Sequence, residues 1–395
     1  MENTEIKNRA EALKDWLMEV RRDFHMHPEL GMEEIRTRDK IAGYLEEMGI
    51  PYQIGIAKTG IVGLIKGKEP GRTVALRADM DALPMVDEKD VPYKSQLEGK
   101  MHACGHDAHM TILLGTARVL NEMKDNIKGN IKLLFQPAEE SVGGAEKMIQ
   151  QGAMENPKVD VVFGLHVSPE IPVGKIGVKY GQMNAASDAI TIDLYGTSCH
   201  GAYPHGGIDA IVMAGQIITA LQTIVSRVAD PRDSAVVSIG VIKGGTASNI
   251  IANHVEMKGT VRTLLPSTRE KVINTIQKIV TQVAEAMGGT GKVTRSEGYC
   301  ALINDDRMVD LVRENGKELL GNQNVEELSA ASLGVEDFAF FLKEAPGAFF
   351  RVGCRNEERG IIYDGHSTLF DIDEGCLPIG VMMQVKNVLT VLGEE

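Results

Sequence analysis

Thr73-Val74-Ala75-Leu76-Arg77-Ala78-Asp79-Met80-Asp81-Ala82-Leu83-Pro84 is an apolar run that closes on acids. Residues 73–78 have the composition of a short buried strand, and its period of two sets Arg77, Asp79 and Asp81 on one face. Acids at the carboxyl end of a strand mark a candidate site in an open sheet. Upstream, residues 61–65 read as another strand, and charged amphipathic patterns predict helices over 5–19 and 33–48. The first is followed by Arg21-Arg22-Asp23-Phe24-His25-Met26-His27-Pro28-Glu29-Leu30-Gly31, whose Pro and Gly stop it. Downstream come a helix at 108–123, a strand at 131–135, a helix at 144–151 and a strand at 159–165. Strand and helix taking turns imply an α/β architecture with a mostly parallel sheet.

After Gly181 the pattern changes. A strand at 189–195, a helix at 209–227, strands at 234–242 and 250–263, a helix at 269–287 and a strand at 292–297 spell β-α-β-β-α-β, the ferredoxin-like order. This predicts an inserted domain over 183–296 within a discontinuous domain of 1–182 and 297–395. The chain then returns to a helix at 307–320, a strand near 347–352 and a last helix at 375–392. A four-stranded sheet backed by two helices leaves an edge strand for pairing, which suits a symmetric homodimer.

The 395 residues carry 42 Lys+Arg against 55 Asp+Glu, a formal charge of −13 that argues against a nucleic-acid partner. The N-terminus, Met1-Glu2-Asn3-Thr4-Glu5-Ile6-Lys7, lacks the basic-then-apolar order of a secretory signal. The best imitation of a membrane span is 210–226, but Ile211, Ala214, Gly215, Ile218, Leu221 and Val225 recur there at helical spacing, as in a packed helix. A cytoplasmic protein without a membrane partner is expected. Cysteines at 104, 199, 300, 354 and 376 are too few and too scattered for a disulfide framework. Four read as reduced, buried fillers. Cys104 differs, since Met101-His102-Ala103-Cys104-Gly105-His106-Asp107-Ala108-His109 crowds three histidines around it.

A divalent metal site needs several His, Cys, Asp or Glu ligands gathered by the fold. Such residues fall where strands end: Cys104 and His106 before a helix, Glu139 and Glu140 after the strand at 131–135, and His166 closing the strand at 159–165. His366 lies in Tyr363-Asp364-Gly365-His366-Ser367. Adjacent acids usually belong to a solvated helix surface. Glu139-Glu140 instead follows an apolar strand and the turn Gln136-Pro137-Ala138, where one acid can hold a metal while the other moves protons. A nucleophilic Cys104 thiolate is conceivable, although the neighbouring Glu and His clusters favour a ligand. Gly143-Gly144 and Gly288-Gly289 lack a nucleotide-binding frame.

Arg77-Ala78-Asp79-Met80-Asp81-Ala82-Leu83-Pro84, Met101 to Asp107, Gln136-Pro137-Ala138-Glu139-Glu140 and Gly164-Leu165-His166 resemble, in order, the signatures of the M20 metallopeptidase/amidohydrolase family. The likeness is greatest to its aminoacylases, hippurate hydrolases and auxin-conjugate hydrolases, and it spans nearly the whole chain. It implies two divalent ions, zinc with manganese or cobalt as substitutes, held by Cys104, His106, Glu140, His166 and His366. Glu139 would be the general base. Asp81, in Asp81-Ala82-Leu83-Pro84, would orient a ligand across the cluster, while Asp79 could simply pair with Arg77.

By the same resemblance the inserted domain is a lid and dimerisation domain. Cys199-His200-Gly201-Ala202-Tyr203-Pro204-His205 is similar to the family's Gly-His-x-x-x-Pro-His turn, with Cys199 replacing Gly, and it makes His200 an oxyanion donor, commonly toward the partner's site. Gly244-Gly245-Thr246-Ala247-Ser248-Asn249 and Gly259-Thr260-Val261-Arg262 are similar to the clamp for a substrate carboxylate, formed by Asn249 and Arg262. The expected activity is hydrolysis of N-acetyl or N-benzoyl amino acids, the alternatives being a dipeptidase or carboxypeptidase of the same family, or a non-catalytic protein with one structural zinc.

Overall fold

The run at 73–79 lies in the middle of a sheet, and this placement fixes the rest. A computed structural model describes residues 2–393. Its elements are α1 (Asn3–Ala12), α2 (Lys14–Met26), α3 (Ile35–Glu47), β1 (Tyr52–Ile56), β2 (Gly60–Lys66), β3 (Glu69–Asp79), α4 (His106–Glu122), β4 (Lys128–Gln136), α5 (Ala145–Gln150), β5 (Val161–Pro172), β6 (Ile176–Val178), β7 (Gly181–Asn184), β8 (Ala186–Tyr195), α6 (Ala210–Thr223), β9 (Ala235–Gly244), β10 (His254–Thr263), α7 (Pro266–Ala286), β11 (Thr290–Glu297), β12 (Leu302–Asn304), α8 (Asp306–Leu320), β13 (Val325–Glu327), α9 (Phe338–Glu344), β14 (Gly347–Arg355) and α10 (Cys376–Gly393). They form two compact units. One comprises the chain up to Gly181, Ile303–Ala330 and everything from Asp337; the other comprises Gln182–Leu302 and Ala331–Glu336.

The first unit holds an eight-stranded sheet in the order β1-β2-β4-β3-β5-β14-β6-β13. Its centre, β4-β3-β5-β14, is parallel, and β1 and β2 run antiparallel at one edge. A central parallel strand is covered on both faces, so the last seven residues of β3 are all buried without alternation. Helix α4 is buried almost throughout because it lies against β3 with α2 and α10 beside it. Gly115 lets these helices approach, since a Cβ there would lie 2.7 Å from Leu17 and 2.8 Å from Val381. That contact justifies a residue that otherwise weakens a helix interior.

Several elements differ from the sequence reading. β3 ends at Asp79, so Asp81 lies in the following loop and not on the strand face with Arg77 and Asp79. β5 runs on to Pro172, because its second half keeps pairing with β14, and His166 sits within the strand opposite Arg351. Of the four cysteines read as buried, only Cys354 and Cys376 are; Cys199 and Cys300 are half-buried, and all five are free thiols.

The second unit is an antiparallel sheet in the order β11-β8-β10-β9 with α6 and α7 packed on it, the β-α-β-β-α-β pattern. Asp209 caps α6 by accepting the Ile211 and Val212 N–H groups. The buried stripe of α6 is Ala210, Met213, Ala214, Ile217 and Leu221, one step out of phase with the expected one, and Ile211 and Val225 are exposed. By length and composition Ala210–Val228 and Cys376–Gly393 could each cross a membrane, yet α6 buries one face in the core of its unit and α10 is largely enclosed. The unit reaches beyond 296 to Leu302 and takes in Ala331–Glu336, a segment too short to show a periodic signal of its own.

Candidate metal centre

Four structural positions converge in the first unit: the start of α4, the loop after β4, the middle of β5 and the loop between β14 and α10. The ligand atoms of Cys104, His106 and His166 all lie within 4.8 Å of one another, as do those of Cys104, Glu140 and His366, and those of His106, Glu139 and Glu140. Cys104 Sγ is 3.3 Å from His166 Nε2, and His366 Nε2 is 3.2 Å from Glu140 Oε1. His366 adopts a left-handed backbone, φ 62°, and donates its N–H to the Ala103 carbonyl at 2.8 Å, which fixes a half-exposed loop to the segment bearing Cys104.

Hydrogen bonds set which nitrogen each imidazole presents. His106 Nδ1 lies 2.8 Å from the Asp81 carbonyl oxygen and His166 Nδ1 lies 2.7 Å from the Val167 carbonyl oxygen. Each Nδ1 therefore carries a proton, and each Nε2 is the nitrogen turned to the cluster. His106 Nε2 is buried without a hydrogen-bond partner, and the buried Glu140 Oε1 has only His366 Nε2 beside it, at 3.2 Å. Under-satisfied polar atoms of this kind are costly to bury, and a bound cation satisfies them. The donor set of one thiol, three imidazoles and one carboxylate suits divalent transition metals.

Asp79, His106 and His109 also lie within reach of one another, but they are not an ion site. His109 Nε2 accepts the Val167 N–H at 2.9 Å and its Nδ1 faces Asp79 Oδ1 at 2.6 Å, so both nitrogens are engaged. Asp79 also accepts Arg77 Nη1 at 2.6 Å, the pairing that the sequence left open for it. Burial pushes the Asp79 carboxyl up, but Arg77, His106 and His109 together outweigh it and hold the group well below the usual range.

Asp81 has a different task. Its Oδ1 accepts the Glu139 N–H and its Oδ2 the Glu140 N–H, each at 3.0 Å, while its carbonyl takes His106 Nδ1–H. One residue thus ties the α4 ligand to the carboxylate loop. Burial, with Glu140 beside it, pushes the Cys104 thiol well up, so only a cation at the sulfur would make it a thiolate. Burial lowers His166 strongly, helped by His109 and Arg351, and keeps it in the neutral form that binds metal.

His200, Asn249 and Arg262 belong to the second unit. There the Gly201 N–H donates to the Asn249 carbonyl at 2.7 Å and the Ile251 N–H to the Cys199 carbonyl at 3.0 Å, which brings the His200 turn beside the Asn249 loop. His200 Nδ1 accepts the Ala202 N–H at 3.0 Å, leaving Nε2 outward on an exposed residue. Arg262 is half-buried on β10, with Nη1 donating to Thr260 Oγ1 and to the Val261 carbonyl.

A second buried cluster, without a signal in the sequence, lies next to α4. Arg21 Nε donates to Asp107 Oδ2 at 2.8 Å and Nη2 to Asp371 Oδ1 at 2.9 Å, and His25 Nδ1 lies 2.7 Å from Asp107 Oδ2. Lys89 Nζ is 3.0 Å from His25 Nε2 and 3.1 Å from Asp87 Oδ1. These residues anchor the end of α4 that bears the ligands. His102, the third histidine of the cysteine segment, lies outside all the ligand groups, and burial drives its pKa down to about 3.

Residues 75–389 match the model of peptidase family M20/M25/M40. The chain is 41% identical to thermostable carboxypeptidase 2 of Saccharolobus solfataricus, over 95% of both chains. It is 40% identical to N-acetyl-L-cysteine deacetylase of Bacillus subtilis, over 93% of this chain and 86% of that one. Among solved structures, the YXEP protein of Bacillus subtilis, described as a dinuclear metal binding peptidase of the M20 family, superposes with a TM-score of 0.85 at 34% identity, covering 97% of this chain and 99% of that one. With the ligand-bearing segments gathered on an α/β sheet and the match extending over most of its length, the chain belongs to peptidase family M20/M25/M40 and is a hydrolase of small amide or peptide substrates.

Proposed function

We propose that the protein hydrolyses N-acyl amino acids, of the N-acetyl or N-benzoyl type, to a carboxylate and a free amino acid. The observation that carries this reading is the convergence on Cys104 of His106, Glu140, His166 and His366, with His106 Nε2 buried and unpartnered and a further carboxylate, Glu139, at hand. The choice of an N-acyl substrate draws on the deacetylase relative.

Cys104, His106, Glu140, His166 and His366 would hold two divalent ions, zinc being the best fit to the thiol and imidazoles, with manganese or cobalt as substitutes. Bound there, the ions would acidify water and polarise the acyl carbonyl. Glu139 accepts the proton of the attacking water on its carboxylate and returns it to the departing nitrogen. Asp81 holds the backbone of this base by accepting its N–H. His200 supplies a donor to the oxyanion, and Arg262 and Asn249 hold the substrate carboxylate. A carboxypeptidase or dipeptidase is the second reading, favoured by the Saccharolobus relative. A panel of N-acetyl and N-benzoyl amino acids, their carboxyl amides and dipeptides separates the two. N-acyl amino acids should be the best substrates, and preference for dipeptides would overturn the assignment.

Replacing Cys104 or His166 by Ala should lower bound metal as well as rate, because each opens a coordination position. Metal analysis after dialysis checks this, and unchanged content in both variants would refute the ligand roles. A homodimer in which His200 serves the partner's site makes a further expectation. Mixing inactive Glu139→Gln with inactive His200→Ala should recover part of the activity once subunits exchange, since one site of a mixed dimer has both residues. No recovery, with exchange verified by size measurements, would assign His200 to its own chain.

A further inference from the structure

The loop after β4 carries both acids of the site, and its backbone is held in an unusual way. Ala138, immediately before Glu139, is left-handed at φ 57°, a conformation that costs a non-glycine residue free energy. The N–H groups of Ala138, Glu139 and Glu140 point at buried carboxylates: Asp81 takes the latter two, and Glu34 Oε1 takes the Ala138 N–H at 2.9 Å. Glu34 is wholly buried just before α3, and its Oε2 accepts the Thr59 hydroxyl at 2.6 Å. Burial raises its pKa, against these donors. The segment around it is fitted to the loop, since a Cβ at Gly31 would lie 2.4 Å from Ser141 Oγ and 3.0 Å from Ala138 Cβ.

A buried carboxylate is an expensive means of closing one turn when a carbonyl or an amide would do. Here it meets the N–H of the left-handed residue that leads directly into Glu139 and Glu140, whose carboxylates both come within 4.8 Å of His106. We propose that Glu34 is a positioning residue for hydrolysis: through the Ala138 N–H it locks the backbone of the Glu139-Glu140 loop. The proposal rests on the reading of Glu139 as the general base.

The test uses the full chain with its metals restored, comparing Glu34→Ala, Glu34→Gln and Glu139→Gln. Glu34→Ala should lower kcat on the order of 10²-fold, as expected for a catalytic group misplaced by about an ångström, with KM within threefold of the parent. Glu34→Gln keeps an acceptor for the Ala138 N–H and should restore kcat to within about fivefold of the parent. Independently of metal and substrate, amide hydrogen exchange in the peptide spanning 137–143 should accelerate in Glu34→Ala and stay slow in Glu34→Gln. If Glu34→Ala does not fold, Thr59→Val takes its place, because it frees the far oxygen of Glu34; it should lower kcat at constant KM and accelerate the same exchange. Parental kcat and exchange in Glu34→Ala, or in Thr59→Val where that variant decides, would overturn the proposal, as would equal losses in the Ala and Gln variants. An active Glu139→Gln would instead remove the reading of the base on which the proposal stands.

Discussion

Glu139→Gln is expected to retain two metal ions and lose roughly 10²–10⁴-fold in kcat, the range for removal of a general acid–base group. The amide keeps the size of the side chain and its backbone N–H still reaches Asp81 Oδ1. What disappears is the ability to take a proton from water and hand it to the leaving nitrogen. Steady-state kinetics with metal analysis on the same preparation checks both halves. Activity within tenfold of the parent would remove Glu139 from the role of base, and loss of metal would make it a ligand instead.

The second large effect concerns stability. Arg21→Met should destabilise the protein by about 3–5 kcal/mol, because it removes a fully buried cation and leaves the carboxylates of Asp107 and Asp371 without the guanidinium that both accept from. Arg21 is fully buried, whereas its neighbour Arg22 is 37% exposed while pairing with Glu374 at 2.6 Å. Arg22→Met is therefore an internal control, with an expected loss below about 1 kcal/mol. Urea unfolding of both variants reads the difference, and equal losses would show that burial does not govern this cluster. Arg21, against the cost of burial, also helps hold the Asp107 carboxyl below its usual range. A depressed folded pKa contributes stability that is present above about pH 4 and lost as pH falls toward the folded value. The parent should accordingly lose more of its stability through the acid range than Arg21→Met does.

The sequence made these two sites legible to different degrees. Cys104, His106, Glu139, Glu140 and His166 could be picked out because ligand-type residues stood at the ends of apolar runs, with His366 as a further candidate, and the family resemblance then assigned their roles. The Arg21 cluster was hidden because Arg21-Arg22-Asp23 in a charged helix has the pattern of a solvated face, and only the fold shows that Arg21 turns inward while Arg22 does not. Glu34 was hidden for the same reason, lying at the start of a helix where acids are commonplace. Helix α9 escaped because Phe338–Glu344 is seven residues long and too short to display a period. β1 escaped because Tyr52–Ile56 is an edge strand with an exposed middle, which leaves no apolar alternation to read. In α6 the period was legible but its phase was not, since apolar residues occupy several faces of that helix and only packing against α7 and the sheet selects one.

The central claim, that Cys104, His106, Glu140, His166 and His366 assemble a two-metal hydrolytic site, is tested most directly by titrating metal-stripped protein with zinc while following hydrolysis of an N-acetyl amino acid. Turnover should rise with added metal and level off at about two equivalents per chain. Saturation at one equivalent, or metal uptake without turnover on any N-acyl amino acid or dipeptide, would contradict it.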